Sequence, residues 1–168
     1  MKSRRAFLAL FLAVLCGMAG AAQRVPEWWN FDKDPDNWVL ARESGERQQG
    51  ERVYVLKGEN PYFWNEMIIS GYAKTGGMPD NYLLGFVNEL VDNCRPLKVS
   101  PIEESPTSVI FEWEGDCRIV GLQVEIRRVA IGPEGVHYLA YSAKPNRLTP
   151  EKREFWLDII RRATLRQY

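Results

Sequence analysis

Between Val109 and Ala143 the chain alternates apolar and polar residues with the period of two that a β-strand imposes, and does so in successive runs. Val109, Phe111 and Trp113 alternate with Ile110, Glu112 and Glu114, and Leu122, Val124 and Ile126 alternate with Gln123, Glu125 and Arg127. Residues 136–143 form a third strand. Gly132-Pro133-Glu134-Gly135 makes a four-residue turn between the last two, so they are expected to pair as an antiparallel hairpin. Pairing symmetric about that turn sets His137 beside Ala130, on the side of Ile126, Leu139 and Tyr141, at the edge of a buried face. A sheet of this kind has to bury one face against something else.

Two amphipathic helices are the expected cover. In the first, Asp80 is the N-cap candidate, and Tyr82, Leu83, Phe86, Val87, Leu90, Val91 and Cys94 follow at i, i+3, i+4 spacing. Arg95-Pro96 ends it, because the residue before proline avoids the α region. In the second, Thr149 is the cap, Pro150 the first helical residue and Glu151 part of the first turn. Phe155, Trp156, Ile159, Ile160 and Ala163 form its buried stripe, and Arg161, Arg162 and Arg166 complement the negative end of its dipole.

Upstream, residues 38–41 and 53–56 read as strands joined by a charged loop at 43–52. Residues 62–72 read as a third strand, broken by Thr75-Gly76-Gly77. The order is strands, helix, antiparallel strands, helix. The expected fold is α+β: a single domain over residues 37–168, mostly antiparallel sheet packed with two main amphipathic helices, α/β/α sandwich-like. Residues 23–36 are a polar lead-in carrying Trp28, Trp29 and Phe31, either a tail whose aromatics dock on the domain or an exposed aromatic patch.

The first 22 residues read as a cleaved export signal. Lys2, Arg4 and Arg5 precede the apolar residues 6–15, and small residues from Gly17 to Ala22 supply a cleavage site. Ten strongly apolar residues are too few to span a bilayer. Leu15 before Cys16 argues against a lipoprotein signal. Ser3-Arg4-Arg5-Ala6-Phe7-Leu8 resembles the twin-arginine motif, whereas the Leu-rich stretch suits general secretion, and both routes stay open. The expected location is the periplasm or the medium, with no membrane span after cleavage.

Cleavage removes three of the 22 basic residues and none of the 22 acidic ones, leaving a charge of −3. There is no basic block, so nucleic acid is set aside as a partner. Of the three cysteines, Cys94 and Cys117 remain, and an even pair in an oxidising compartment reads as one disulfide, pinning the end of the first helix to the sheet.

The available chemistry is narrow. His137 is the one histidine, so it is the only imidazole base a catalytic triad could use. Its bland reading is a hydrogen-bonded edge residue. G-x-S-x-G, H-E-x-x-H, G-x-G-x-x-G and P-loop motifs are absent from the sequence, and no metal or cofactor is expected. Glu103 and Glu104 sit in a Pro-bounded loop, and Glu112 and Glu114 share a strand face, which leaves a carboxylate-based hydrolase as an alternative. Tyr62, Phe63 and Trp64 beside Asn65 and Glu66 are the densest aromatic cluster; such groups bind sugars or peptides, and equally fill a small core. Tyr62, Trp64, Glu66 and His137 are therefore the candidate binding residues.

Over roughly residues 38–165, the element order, the tryptophan-bearing start and the closing amphipathic helix resemble the PsbP-like fold, which includes the bacterial envelope protein DcrB. The resemblance implies a non-enzymatic binding or assembly accessory and carries over no functional residue. The expected function is an exported, non-catalytic envelope protein that binds a protein partner or small ligand. The alternative is a secreted inhibitor or effector acting on a foreign protein through a mutable loop, at residues 43–52 or 103–107.

Overall fold

The computed structural model describes residues 27–34, 36–46, 49–74, 79–132 and 135–167. The export segment, Thr75-Gly76-Gly77 and Pro133-Glu134 lie outside them. In chain order the elements are β1 (Glu27–Asn30), β2 (Trp38–Glu46), β3 (Gln49–Leu56), β4 (Glu66–Ala73), α1 (Pro79–Asn93), β5 (Cys94–Ser105), β6 (Ser108–Cys117), β7 (Gly121–Gly132), β8 (Gly135–Ala143), α2 (Pro150–Arg162) and β9 (Thr164–Gln167). Seven strands form one antiparallel sheet in the order β2-β3-β4-β8-β7-β6-β5, and β1 pairs with β9 in a separate ribbon. The fold is α+β and mainly sheet. The β7–β8 hairpin has the expected register, with Ala130 opposite His137.

The two helices draw on alternate residues of the same strands. Trp156, Leu157, Ile159 and Ile160 of α2 join a core with Ile126, Leu139 and Tyr141, and the Trp156 ring stacks on Tyr141 at 4.4 Å. Tyr82, Leu83, Phe86 and Leu90 of α1 pack with Phe111, Trp113, Val129, Val136 and Tyr138. Thr149 caps α2 as expected, its hydroxyl accepting from the Lys152 N–H. Phe155, expected in the stripe, is exposed, and Leu157 is buried instead. Arg166 lies on β9 opposite Trp28 rather than at the end of α2. Arg128 of β7 does that work: its Nη1 donates to the carbonyls of Ile160, Arg161 and Ala163 at 3.0, 3.1 and 3.0 Å.

Several expectations are corrected. Helix α1 starts at Pro79, so Asp80 lies inside its first turn and is not the cap. It ends at Asn93, and Cys94 opens β5 directly opposite Cys117, with sulfurs 2.00 Å apart. The pair therefore joins two neighbouring strands just after the helix. Glu103 and Glu104 are in strand β5, not a loop. Pro96 and Pro101 hid that strand, and they are tolerated because β5 is an edge where pairing slips at both places.

The expected loop at 43–52 is mostly strand. Opposite charges pair across the edge hairpin, Arg42 with Glu51 at 2.5 Å and Arg52 with Glu43 at 3.0 Å. Strand β4 begins only at Glu66. Trp28 and Trp29 are buried, so the lead-in aromatics dock and form no exposed patch. The Arg52 guanidinium covers Trp28 at 4.0 Å.

Candidate functional site

The site begins with two glycines inside strand patterns. Gly71 of β4 pairs with Glu51 of β3 on one side and with Tyr138 of β8 on the other. A Cβ on Gly71 would lie 2.3 Å from Tyr138 Cζ and 2.7 Å from the Gly50 carbonyl. Without it, the Tyr138 ring crosses over β4, and its hydroxyl donates to Glu51 Oε2 at 3.1 Å. On the opposite face of the sheet Gly50 makes similar room for Tyr72, whose Cε1 would stand 2.6 Å from an added Cβ. On the Tyr138 side lies a cleft of about 630 Å³ whose lining includes Ser44, Gln49, Glu51, Tyr72, Tyr82 and Tyr138. That volume falls within the usual range of small-ligand sites, about 300–1,000 Å³.

A buried polar network stands behind the cleft. Glu125 and Arg127 of β7 are both buried, with Arg127 Nε donating to Glu125 Oε1 at 2.6 Å. Trp113 Nε1 and the Ser142 hydroxyl complete the carboxylate's shell at 2.9 and 2.6 Å. The Arg127 guanidinium lies 4.0 Å from the Phe86 ring centroid and 5.2 Å from that of Tyr138. Tyr82 of α1 stacks on Tyr138 at 5.8 Å.

These neighbours set the protonation of the site. Burial, then the Glu51 charge, pushes the Tyr138 phenol far above its ordinary range. Burial also raises Tyr82, with the Arg127 charge opposing. Desolvation is the strongest single influence on Arg127 and acts against its charge, but the Glu125 charge and hydrogen bond together with Tyr82 and Tyr138 raise it above its ordinary value, so it stays charged. At neutral pH the wall is thus two protonated phenols beside a carboxylate already engaged by Arg42. That arrangement can stack on a ligand and hydrogen-bond it. It offers no free base.

The four expected binding residues do not all converge. Tyr62 is exposed and Trp64 is buried with Val53 and Val55, yet the two line one shallow surface depression with Lys144, which Glu66 and His137 do not join. Glu66 is buried beneath α2, accepting from the Tyr141 hydroxyl at 2.7 Å and from Lys152 Nζ at 2.6 Å. His137 pairs with Tyr72, six residues along β4 from Glu66, or roughly 20 Å at strand rise. Its strand is the central one of seven, and His137 is 1% exposed, so it is not an edge residue. Among the described residues neither of its nitrogens has a hydrogen-bond partner; Glu27 Oε2 is 3.9 Å from Nε2. Burial pushes its pKa down, and the Glu27 backbone acts in the opposite direction. Glu112 is held by Arg153 at 2.6 Å while Glu114 is exposed, so they share no cleft.

Glu51, Tyr82, Tyr138 and the Glu125–Arg127 pair were missed as site residues. The available signal was the isolated glycines at 50 and 71, which inside a strand mark close approach of another group. Among the described residues no three of His, Cys, Asp and Glu gather as a metal site, and no helix is long and apolar enough to cross a membrane. No family model matches the chain, and no curated protein matches it.

Proposed function

We propose that this is an exported, non-catalytic envelope protein that binds a protein partner or small ligand, and that the tyrosine-lined cleft is its binding site. The observation that carries the reading is the Glu51–Gly71–Tyr138 rung, in which a glycine floor lets a phenol lie across a strand and form the wall of a ligand-sized cleft. The carboxylates favour binding over hydrolysis. Glu51, Glu66, Glu112 and Glu125 each accept from a cation, and a hydrolytic acid has to be desolvated and free to hold its own proton. The same reading includes removal of residues 1–22, an α/β/α sandwich-like layering and kinship with the PsbP-like proteins. The cysteine pair supports export to an oxidising compartment, and the two helices that draw on alternate strand residues support the layering.

The test is affinity capture from intact cross-linked cells, with the wild type beside Glu51→Gln and Tyr82→Ser. A stoichiometric partner or ligand recovered with the wild type and lost with both variants supports the reading. Equal recovery with all three, or a turnover activity abolished by Glu51→Gln, contradicts it.

A further inference from the structure

Strand β2 is one edge of the seven-stranded sheet, and among the described residues no strand pairs with its outer side. Residues 39–45 are all exposed. The opposite edge is guarded: β5 carries Pro96 and Pro101 and its pairing slips twice, devices that stop a sheet from being extended. Strand β2 has no proline. Its one slip, between Leu40 and Arg42, leaves residues 42–46 in regular register with β3. Arg42 and Glu43 reach inward to Glu51 and Arg52 of β3, and so leave the outer main chain uncovered.

Hydrogen bonding along the hairpin fixes which main-chain groups are free. The Lys57 N–H donates to the Asn37 carbonyl at 2.8 Å, so these two opposed residues bond to each other. Strand alternation then turns the main chain of Val55, Val53 and Glu51 toward β2. Glu43 and Gly45, opposite Arg52 and Gly50, turn their N–H and C=O groups outward. Between them Ser44, opposite Glu51, shares the cleft face, and Ser44 and Gly45 both line the cleft. The open edge and the cleft therefore meet at the same residues.

We propose that the occupant of the cleft is an extended polypeptide segment of a partner, which adds as a strand along residues 42–46 of β2 and places the side chain level with Ser44 in the cleft. Outward N–H and C=O groups at a two-residue spacing are complemented by another extended main chain. In such strand addition the main-chain bonds supply affinity for any sequence, and a pocket beside the edge selects the side chain. The cleft wall offers hydroxyl and amide groups at Tyr82, Ser44 and Gln49, and its carboxylate is already engaged by Arg42, so a polar, uncharged side chain fits it. The inference rests on the cleft being the binding site, as proposed above, and adds the edge beside it.

The probe is a phage-displayed library of random seven-residue peptides selected against the wild type, the tightest peptide then being synthesised and titrated. Glu43→Pro removes an outward N–H at an edge position where proline is tolerated. Glu43→Ala removes the same side chain and keeps the N–H. The peptide should bind Glu43→Ala as it binds the wild type, and bind Glu43→Pro at least about tenfold more weakly, the worth of one main-chain hydrogen bond. Tyr82→Ser should weaken it as well. N-methylation of the peptide's own amides, position by position, needs no variant protein and should weaken binding at every second residue. No selectable peptide, equal binding to Glu43→Pro, or N-methylation losses without that period overturns the proposal. When Tyr82→Ser weakens binding and Glu43→Pro does not, the cleft stands and the added strand falls; when Tyr82→Ser leaves binding unchanged, both fall. Sedimentation velocity accompanies the titration, and a wild-type dimer that Glu43→Pro dissociates would give the edge to a second copy and overturn the proposal.

Discussion

Glu51 and Tyr138 belong to strands that do not pair, yet the Tyr138 hydroxyl donates to Glu51 Oε2 at 3.1 Å across the glycine between them. The contact exists because Gly71 has no side chain. Gly71→Ala would set a methyl 2.3 Å from the Tyr138 ring and 2.7 Å from the Gly50 carbonyl, so moving the ring alone cannot relieve it. We expect destabilisation of about 1–3 kcal/mol by urea unfolding. Tyr138→Phe, which keeps the ring, should cost about 0.5–1.5 kcal/mol. An unchanged urea midpoint for Gly71→Ala would refute the account of the cleft floor.

The Glu125–Arg127 pair makes a sharper demand on stability. Arg127→Met leaves a buried carboxylate with only the Trp113 and Ser142 donors, and should cost about 3–5 kcal/mol. Adding Glu125→Gln removes that stranded charge, so the double variant should be more stable than Arg127→Met alone. A double-mutant cycle by chemical denaturation decides it; strict additivity would show that the pair is not coupled.

Much of this fold was legible because its signals are local. The β7–β8 hairpin, the Thr149-Pro150 start of α2 and the Tyr82-Leu83-Phe86-Leu90 part of the α1 stripe follow from periodicity and turn residues, whereas Val91, expected in that stripe, is exposed; the register at Ala130–His137 followed from the turn alone. What was missed depends on pairing. Charged residues at 42–52 look like a loop until Arg42 and Arg52 meet Glu51 and Glu43 across a hairpin. Glu125 and Arg127 look solvent-facing until α1 covers them, since a strand pattern does not reveal whether its polar face is also packed. The site was the least legible part. Tyr62 and Trp64 are close in sequence yet divided between solvent and core, whereas Glu51, Tyr82 and Tyr138 are distant in sequence and meet only through the sheet.

His137 gives the fold an acid-side sensitivity. Burial holds its folded pKa below the ordinary 6.5, so the unfolded chain takes up a proton first as pH falls. Its contribution is present above about pH 6.5 and is lost as pH falls through the depressed value. Comparing unfolding midpoints between pH 7.5 and 5 should show a steeper loss for the wild type than for His137→Leu. Parallel curves would contradict a neutral buried histidine.

Cys94 and Cys117 face each other across β5 and β6 at a sequence separation of 23. Chain-entropy arithmetic for a loop of that length gives a stabilisation of about 3 kcal/mol. Cys94→Ser/Cys117→Ser should lose that amount by urea unfolding, and protein from the exported fraction should titrate no free thiol. Two reactive thiols would remove the bridge from the account.

The most direct test of the central claim is photo-crosslinking inside cells from position 82, with benzoylphenylalanine in place of Tyr82 on the cleft wall and, as a control, in place of the exposed Phe155 on α2. Intact-mass analysis of the irradiated protein reads a protein adduct and a small-molecule adduct alike. A discrete adduct from position 82 that is absent from position 155 is the predicted result; no adduct at 82, or the same adducts from both positions, would contradict the cleft as the binding site.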